Sequence, residues 1–365
     1  MMIVYVVSSL EEGGPTQVLF DLTTTIKRKG IDLKIITLSK ERKKTSFQLF
    51  ADKGIDIITL DLNRVSFFLY GRKKLYNCLK RINSNIVHTM GVRADYGVSK
   101  LKLFRKKQIS TIHCFAEEEY KYVYGRILGA LLTKMQIFAM NHMNVPICCS
   151  LSIEKKYKNS GKIFNQRLTT IQNGIDISNY SRNNEKLAKR RCLDLPLDKE
   201  IFLFVGRLTP HKNPILVIES FEKANRNNAI LVLLGDGILK EKVFKMKNDK
   251  VFAMGKVNNV NEYLECADFF VSASLTEGLP LSVIEAGVSG KTLILSNIDQ
   301  HYEIVDASFP GVFYFNPSFP GDLENAFLLV KKENDDFIQD YFIKKFSSER
   351  MSDEYLALYH EIIDN

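Results

Sequence analysis

At 365 residues the chain is longer than one hydrophobic core usually serves, so two domains are expected. Apolar residues at 45% and charged residues at 25% exclude a disordered chain. The six cysteines show no Cys-x-x-Cys pair and no regular spacing, which excludes a disulfide scaffold and fits a reducing cytosol. The net charge of +9 divides unevenly: residues 1–170 carry 29 Lys and Arg against 13 Asp and Glu (+16), and residues 171–365 carry 22 against 29 (−7).

The first half opens on the apolar run 3–7. It has no basic lead or cleavage site, so it reads as a strand buried on both faces and not as a signal peptide. Gly13-Gly14-Pro15 follows, then a helix over 16–29 with Val18, Leu19, Leu22 and Ile26 on one face. Strands are expected at 33–38, 55–60, 86–89 and 109–113, and a helix over 67–82. The longest apolar stretch, 127–140, is interrupted by Lys134 and is too short to span a bilayer. Residues 171–199, beginning Ile171-Gln172-Asn173-Gly174-Ile175-Asp176, read as an interdomain connection.

From residue 200 the rhythm restarts, with strands at 201–205, 229–234, 251–254, 269–273 and 292–295. Helices fall between them at 214–224, 239–246, 260–266 and 279–288. This alternation predicts two α/β domains with open parallel sheets, Rossmann-like, at 1–170 and 200–336. Residues 337–365 keep helical periodicity and form a tail long enough to cross back to the first domain.

Ligands of such sheets bind where strands end and helices begin. After the strand at 201–205 come Gly206 and two cations, Arg207 and Lys212, before Pro214 starts a helix. Both cations suit a diphosphate, the guanidinium through paired bonds and the ammonium as a point charge. After the strand at 269–273 come Glu277, Gly278, Leu279, Pro280 and Leu281. Gly278 lets the backbone turn closely round a ligand, and the helix that follows has free N–H groups for phosphate oxygens. Glu285 lies inside that helix beside Leu281 and Ile284, where ribose hydroxyls are suitable donors to a carboxylate. Gly235-Asp236-Gly237 is a third strand-end turn.

Glu277 and Glu285, seven residues between them and Gly-Leu-Pro after the first, resemble the motif of the family 4 retaining glycosyltransferases. So do Val205-Gly206-Arg207 followed by Lys212, the Gly13-Gly14 loop opening a helix, and the stretch 171–176. The match covers nearly the whole chain and is similar to bacterial surface-polysaccharide enzymes. It implies the GT-B fold, two Rossmann-like domains facing across a cleft, with the donor on the C-terminal domain and the acceptor mostly on the N-terminal one. It further implies Arg207 and Lys212 on the donor diphosphate, Glu285 on the ribose, Glu277 on the donor sugar, and backbone groups at Gly278 to Leu281 on sugar or phosphate. Lys256 and Val257 would lie beside the base, and Gly13 and Gly14 would join the donor site. His113 ends a strand where the family often has a histidine near the reacting sugar; the other reading is a hydrogen-bonded strand-end histidine. His88 ends the preceding strand and is a weaker candidate for the same side.

The expected reaction moves a hexosyl or N-acetylhexosaminyl group from a nucleotide diphosphate sugar, UDP ahead of GDP, to a saccharide or polyprenyl-diphosphate-linked saccharide. No Asp-x-Asp pair occurs, so neither a metal nor another cofactor is expected. No nucleic-acid-binding motif accompanies the basic first half, and nucleic acid is not an expected partner. An anionic membrane is: Arg72, Lys73 and Lys74 adjoin 67–70, and Arg105, Lys106 and Lys107 adjoin 101–104, which predicts peripheral attachment at the inner face of the cytoplasmic membrane. A non-catalytic donor-binding subunit of the same fold is the second reading, and a sugar-nucleotide epimerase the third.

Overall fold

A computed structural model describes residues 1–41, 45–103, 105–180 and 186–364. It divides into an N-terminal unit, residues 1–174 with 348–365, and a C-terminal unit, residues 175–347.

The N-terminal unit is built on seven parallel strands: β1 (Met2–Val7), β2 (Asp32–Thr37), β3 (Asp56–Thr59), β4 (Ile86–Met90), β5 (Lys107–Ile112), β6 (Val145–Cys148) and β7 (Thr169–Thr170). Their order is β3-β2-β1-β4-β5-β6-β7. Ile3, Val4, Tyr5 and Val6 are fully buried, as an apolar run covered on both faces should be. After β1 the chain builds outward to β3, then returns to β4 on the other side, so the direction of winding reverses between β1 and β4.

Two helical features of this unit differ from, or add to, the expected elements. The helix expected over 67–82 is interrupted, with a widened turn at Phe67–Gly71 separating Arg64–Ser66 from Arg72–Arg81. The other is Ala116–His142, which folds back on itself at Gly125, where φ is 78°. Thr133 Oγ1 donates to Ala116 O at 3.1 Å across the hairpin, and a Cβ on Gly129 would stand 2.6 Å from Tyr120 O. The stretch 127–140 is therefore the returning arm of a helical hairpin, and no helix among the described residues is long and apolar enough to cross a membrane.

The tail expected over 337–365 is divided between the units. Asp335–Phe346 belongs to the C-terminal unit and Ser348–Asp364 to the N-terminal one, with extended backbone at Ser347 between them. Ser348–Asp364 is held by a buried polar network on β1, β4 and β5. Tyr359 Oη lies 2.5 Å from His88 Nδ1 and 3.1 Å from Tyr5 Oη, while Thr111 Oγ1 lies 2.7 Å from His88 Nε2 and 2.8 Å from Tyr355 Oη. His88 is thus a fully buried anchor for the C-terminal helix, which corrects its reading as a residue lining the ligand side.

The C-terminal unit has six parallel strands: β8 (Glu200–Val205), β9 (Ala229–Leu234), β10 (Val251–Gly255), β11 (Phe269–Ser272), β12 (Thr292–Ser296) and β13 (Val312–Phe315), in the order β10-β9-β8-β11-β12-β13. Winding reverses between β8 and β11. Much of the segment expected as a connection, 171–199, belongs to this unit. Ile175 N donates to Phe346 O at 2.9 Å, and buried Arg190 donates to Cys266 O at 2.8 Å and to Asp268 Oδ2 at 2.8 Å. A guanidinium satisfied in this way fixes its helix to the sheet.

The apolar neighbours of the expected membrane clusters divide as well. Phe67 is fully buried, whereas Phe68, Leu69 and Tyr70 are exposed. Leu103 is buried and Leu101 packs against the same core, so the second cluster offers no apolar face there; Phe104 lies outside the described residues.

Candidate functional site

In the C-terminal unit the reversal between β8 and β11 brings together the two motifs read from the sequence. Backbone hydrogen bonds tie the strand-end loops to one another. Gly206 N donates to Leu234 O at 3.0 Å, Leu208 N to Asp236 O at 2.9 Å, Gly235 N to Gly255 O at 2.8 Å, and Leu275 N to His211 O at 2.8 Å. The Gly235-Asp236-Gly237 turn presses so closely on the β8 loop that a Cβ on Gly235, at φ 149°, would stand 1.8 Å from Gly206 O. That turn is a structural partner of the Arg207 loop.

Lys212 Nζ and Glu277 Oε1 form an ion pair between the β8 and β11 loops. Ser274 Oγ donates to the same carboxylate oxygen at 2.6 Å. Burial alone would push the Glu277 carboxyl up; the Lys212 charge and the bonds from Lys212 and Ser274 more than offset it, and the group is held below its ordinary value. Behind Ser274 lies a relay the sequence did not reveal. Ser272 Oγ is 3.3 Å from Ser274 Oγ and 3.3 Å from His301 Nε2, while His301 Nδ1 is 2.8 Å from Ser296 O. Burial pushes His301 down to about 4, so its ring is neutral near pH 7. Alternating serines at the end of β11 were the available signal; the histidine comes from the short helix Asp299–Ile304 that follows β12 and has no sequence spacing to betray it.

The helix Leu281–Val288 starts after Pro280, in extended conformation with no side-chain cap, so its first N–H groups remain available to an anion. Leu279 is buried and Gly278 and Leu281 partly so. Glu285, one turn further in and partly buried, accepts a hydrogen bond from the Tyr180 side chain. Burial raises its carboxyl to about 7 and the Tyr180 bond opposes that rise only in part. Tyr180 is a second residue missed from sequence, since it sits in the stretch expected to be a connection. Arg207 and Lys256 are exposed and Val257 partly buried, at the ends of β8 and β10.

In the N-terminal unit, Gly13 caps the helix Gly14–Arg28 through its carbonyl, which accepts from Gln17 N at 3.0 Å. Both glycines are exposed at the β1/β4 reversal, beside a shallow pocket lined by Ser8, Ser9, Pro15, Thr16, Met90 and Gly91. His113 directly follows β5. Its Nε2 is buried with no hydrogen-bond partner among the described residues, and burial pushes the ring down to about 4. Among the described residues no three His, Cys, Asp or Glu side chains cluster as metal ligands.

Two parallel-sheet Rossmann-like units of this kind define the GT-B class of fold. Residues 12–179 match the family Glycosyltransferase Family 4 and residues 185–343 match Glycosyl transferases group 1; the chain belongs to this glycosyltransferase family. Among its relatives is an Escherichia coli UDP-Gal:alpha-D-GlcNAc-diphosphoundecaprenol alpha-1,3-galactosyltransferase, 28% identical over 257 residues that span 65% of this chain and 64% of that one. An Escherichia coli O-antigen biosynthesis glycosyltransferase, WclY, is 24% identical over 99% of both chains. The fold is shared with the Anabaena protein HepE, solved in complex with UDP and glucose, at a TM-score of 0.84 and 14% identity over 99% of this chain and 100% of that one.

Proposed function

We propose that this glycosyltransferase moves a hexosyl or N-acetylhexosaminyl group from a UDP-sugar to a saccharide carried on a polyprenyl diphosphate, in the synthesis of a surface polysaccharide, and that it does so with retention of configuration. The observation that carries this reading is the Lys212–Glu277 pair set beside the uncapped start of Leu281–Val288 at the β8/β11 reversal. The names of the two Escherichia coli relatives and the UDP complex of HepE support the donor and the acceptor class.

Arg207, Lys212 and the free N–H groups at Leu281 and Ser282 bind the diphosphate, with Lys212 shared between phosphate and Glu277. Glu277 accepts hydrogen bonds from donor-sugar hydroxyls, and Glu285 from the ribose. Lys256 and Val257 flank the base; Gly13, Gly14 and His113 keep the donor and transfer roles that the family resemblance implies. As the bond from the anomeric carbon to the β-phosphate oxygen breaks, the acceptor hydroxyl attacks from the same face and its proton passes to the departing diphosphate. Fixed cations and backbone donors stabilise the charge on that leaving group, so no added metal is required. NMR of the new glycosidic linkage tests this: the donor's anomeric configuration is retained, and an inverted product rules the mechanism out.

A further inference from the structure

The hairpin of Ala116–His142 carries an unusual surface. Its first arm leaves the carboxyl end of β5, and its second arm runs down to the start of β6. Because Thr133 lies level with Ala116, and Gly129 with Tyr120, the turn at Gly125 projects beyond the carboxyl edge of the sheet. At that tip Tyr122, Val123, Tyr124, Ile127, Leu128 and Leu131 are all exposed, Ile127 to 90%. Six neighbouring exposed apolar side chains are more than the scattered single ones normal for a protein surface.

A second apolar tip leaves the same edge. The segment Arg64–Ser66 and the widened turn after it follow β3, and expose Val65, Phe68, Leu69 and Tyr70. The helix Val92–Ser99 joins the two. The Phe67 ring packs beneath Gly97, and Asp95, on the same helix, accepts from Gln136 Nε2 of the hairpin at 2.9 Å.

Charge identifies the partner. Residues 120–134 contain Lys121, Arg126 and Lys134 and no carboxylate; residues 62–81 contain six Lys or Arg and no carboxylate. Lys121, Arg126, Arg64, Arg72 and Lys73 are exposed around the apolar tips. The acidic residues at the hairpin base lie lower, where Glu117 and Glu118 pair with Lys162 and Lys156. Apolar tips bordered mainly by cations match the headgroup layer of an anionic bilayer, which takes the apolar groups into its acyl boundary and the cations at its phosphates. We infer that the hairpin tip at Gly125 inserts into an anionic membrane surface, with the Val65–Tyr70 segment as a second contact. This rests on the proposal that the acceptor is lipid-linked, and names the surface that meets its membrane.

The chain contains no tryptophan, which makes the test direct. Ile127→Trp places a sole reporter at the tip, and Leu329→Trp places one at an exposed site of the C-terminal unit. Adding vesicles of phosphatidylcholine with phosphatidylglycerol at low salt should shift the Ile127→Trp emission to the blue and leave the Leu329→Trp emission unchanged. In flotation, Ile127→Ser with Leu131→Ser should weaken vesicle binding about tenfold, since both side chains are apolar anchors. No blue shift, an equal shift with pure phosphatidylcholine, or a vesicle-free shift that tracks self-association would overturn the inference. UDP binding, measured on the same variants, reports separately on the donor site: its failure would count against the proposed reaction and leave the membrane result standing.

Discussion

Lys212 and Glu277, 65 residues apart in the chain, form the ion pair that joins the β8 and β11 loops where the C-terminal sheet reverses its winding. Their side chains are only 16% and 9% exposed, so each charge, poorly reached by water, is compensated by the other.

Removing the cation should therefore cost stability as well as function. Lys212→Met leaves a buried carboxylate uncompensated, a change that costs about 3–5 kcal/mol in fully buried pairs; the residual exposure here sets the expectation near the lower figure. Glu277 is held below its ordinary value, so in the wild type its contribution is present above that value and is lost as pH falls through the lowered one. Without Lys212 burial pushes the carboxyl up instead, so the variant's deficit relative to wild type should shrink as pH falls from neutral toward the carboxylate range. Urea denaturation across that range checks this, and Lys212→Met with Glu277→Gln should recover much of the loss.

Glu285 gives a prediction of opposite sign. With its carboxyl raised to about 7, this group favours the fold at low pH, and that contribution is lost as pH rises through 7. A ribose hydroxyl donates to the ionised form, so nucleotide affinity should increase from pH 6 to 8 more steeply in the wild type than in Glu285→Gln. At pH 8, Glu285→Ala should weaken UDP binding by about 1.5–3 kcal/mol, the scale of a hydrogen bond to a charged group. Calorimetric titration of the three proteins measures both effects.

The buried network at His88 predicts an acid-sensitive attachment of the C-terminal helix. Burial pushes His88 down to about 3, so its contribution to stability is complete above the unfolded value near 6.5 and declines as pH falls from there. Tyr359→Phe removes bonds to both His88 and Tyr5, and should destabilise the N-terminal unit by about 1–3 kcal/mol. Hydrogen exchange should show faster opening of Ser348–Asp364 in the variant, with nucleotide binding unchanged.

His88 also shows where sequence reading stops. The strand that holds it was legible from the apolar run around it, but the residue that covers its ring, Tyr359, lies 271 positions away. The two motif loops were legible because glycine and proline mark strand exits and helix starts, and the seven-residue gap places both glutamates around one helix start. The partners that tune those glutamates were not. Tyr180 ends the three-residue turn Ile177–Asn179 and His301 lies in the six-residue helix Asp299–Ile304, both too short for periodicity to mark, and Ser274 looks like any strand-end serine. The hairpin was not read from sequence at all: its only local mark is the single glycine at 125, where the helix reverses.

Transfer activity should persist in excess EDTA, because the proposed reaction assigns the diphosphate charge to Arg207, Lys212 and the N-terminus of Leu281–Val288. Activity abolished by EDTA and restored by Mg²⁺ or Mn²⁺ would assign that charge to a metal instead.

Thermal unfolding against a panel of nucleotide diphosphates and UDP-sugars in excess chelator decides whether the chain uses a nucleotide-sugar donor. UDP at a hundred times its dissociation constant should stabilise the protein by about 2.7 kcal/mol, and Glu285→Ala should need a higher concentration for the same shift. A chain that no nucleotide diphosphate or sugar nucleotide stabilises, at any concentration up to millimolar, is not a nucleotide-sugar-dependent transferase.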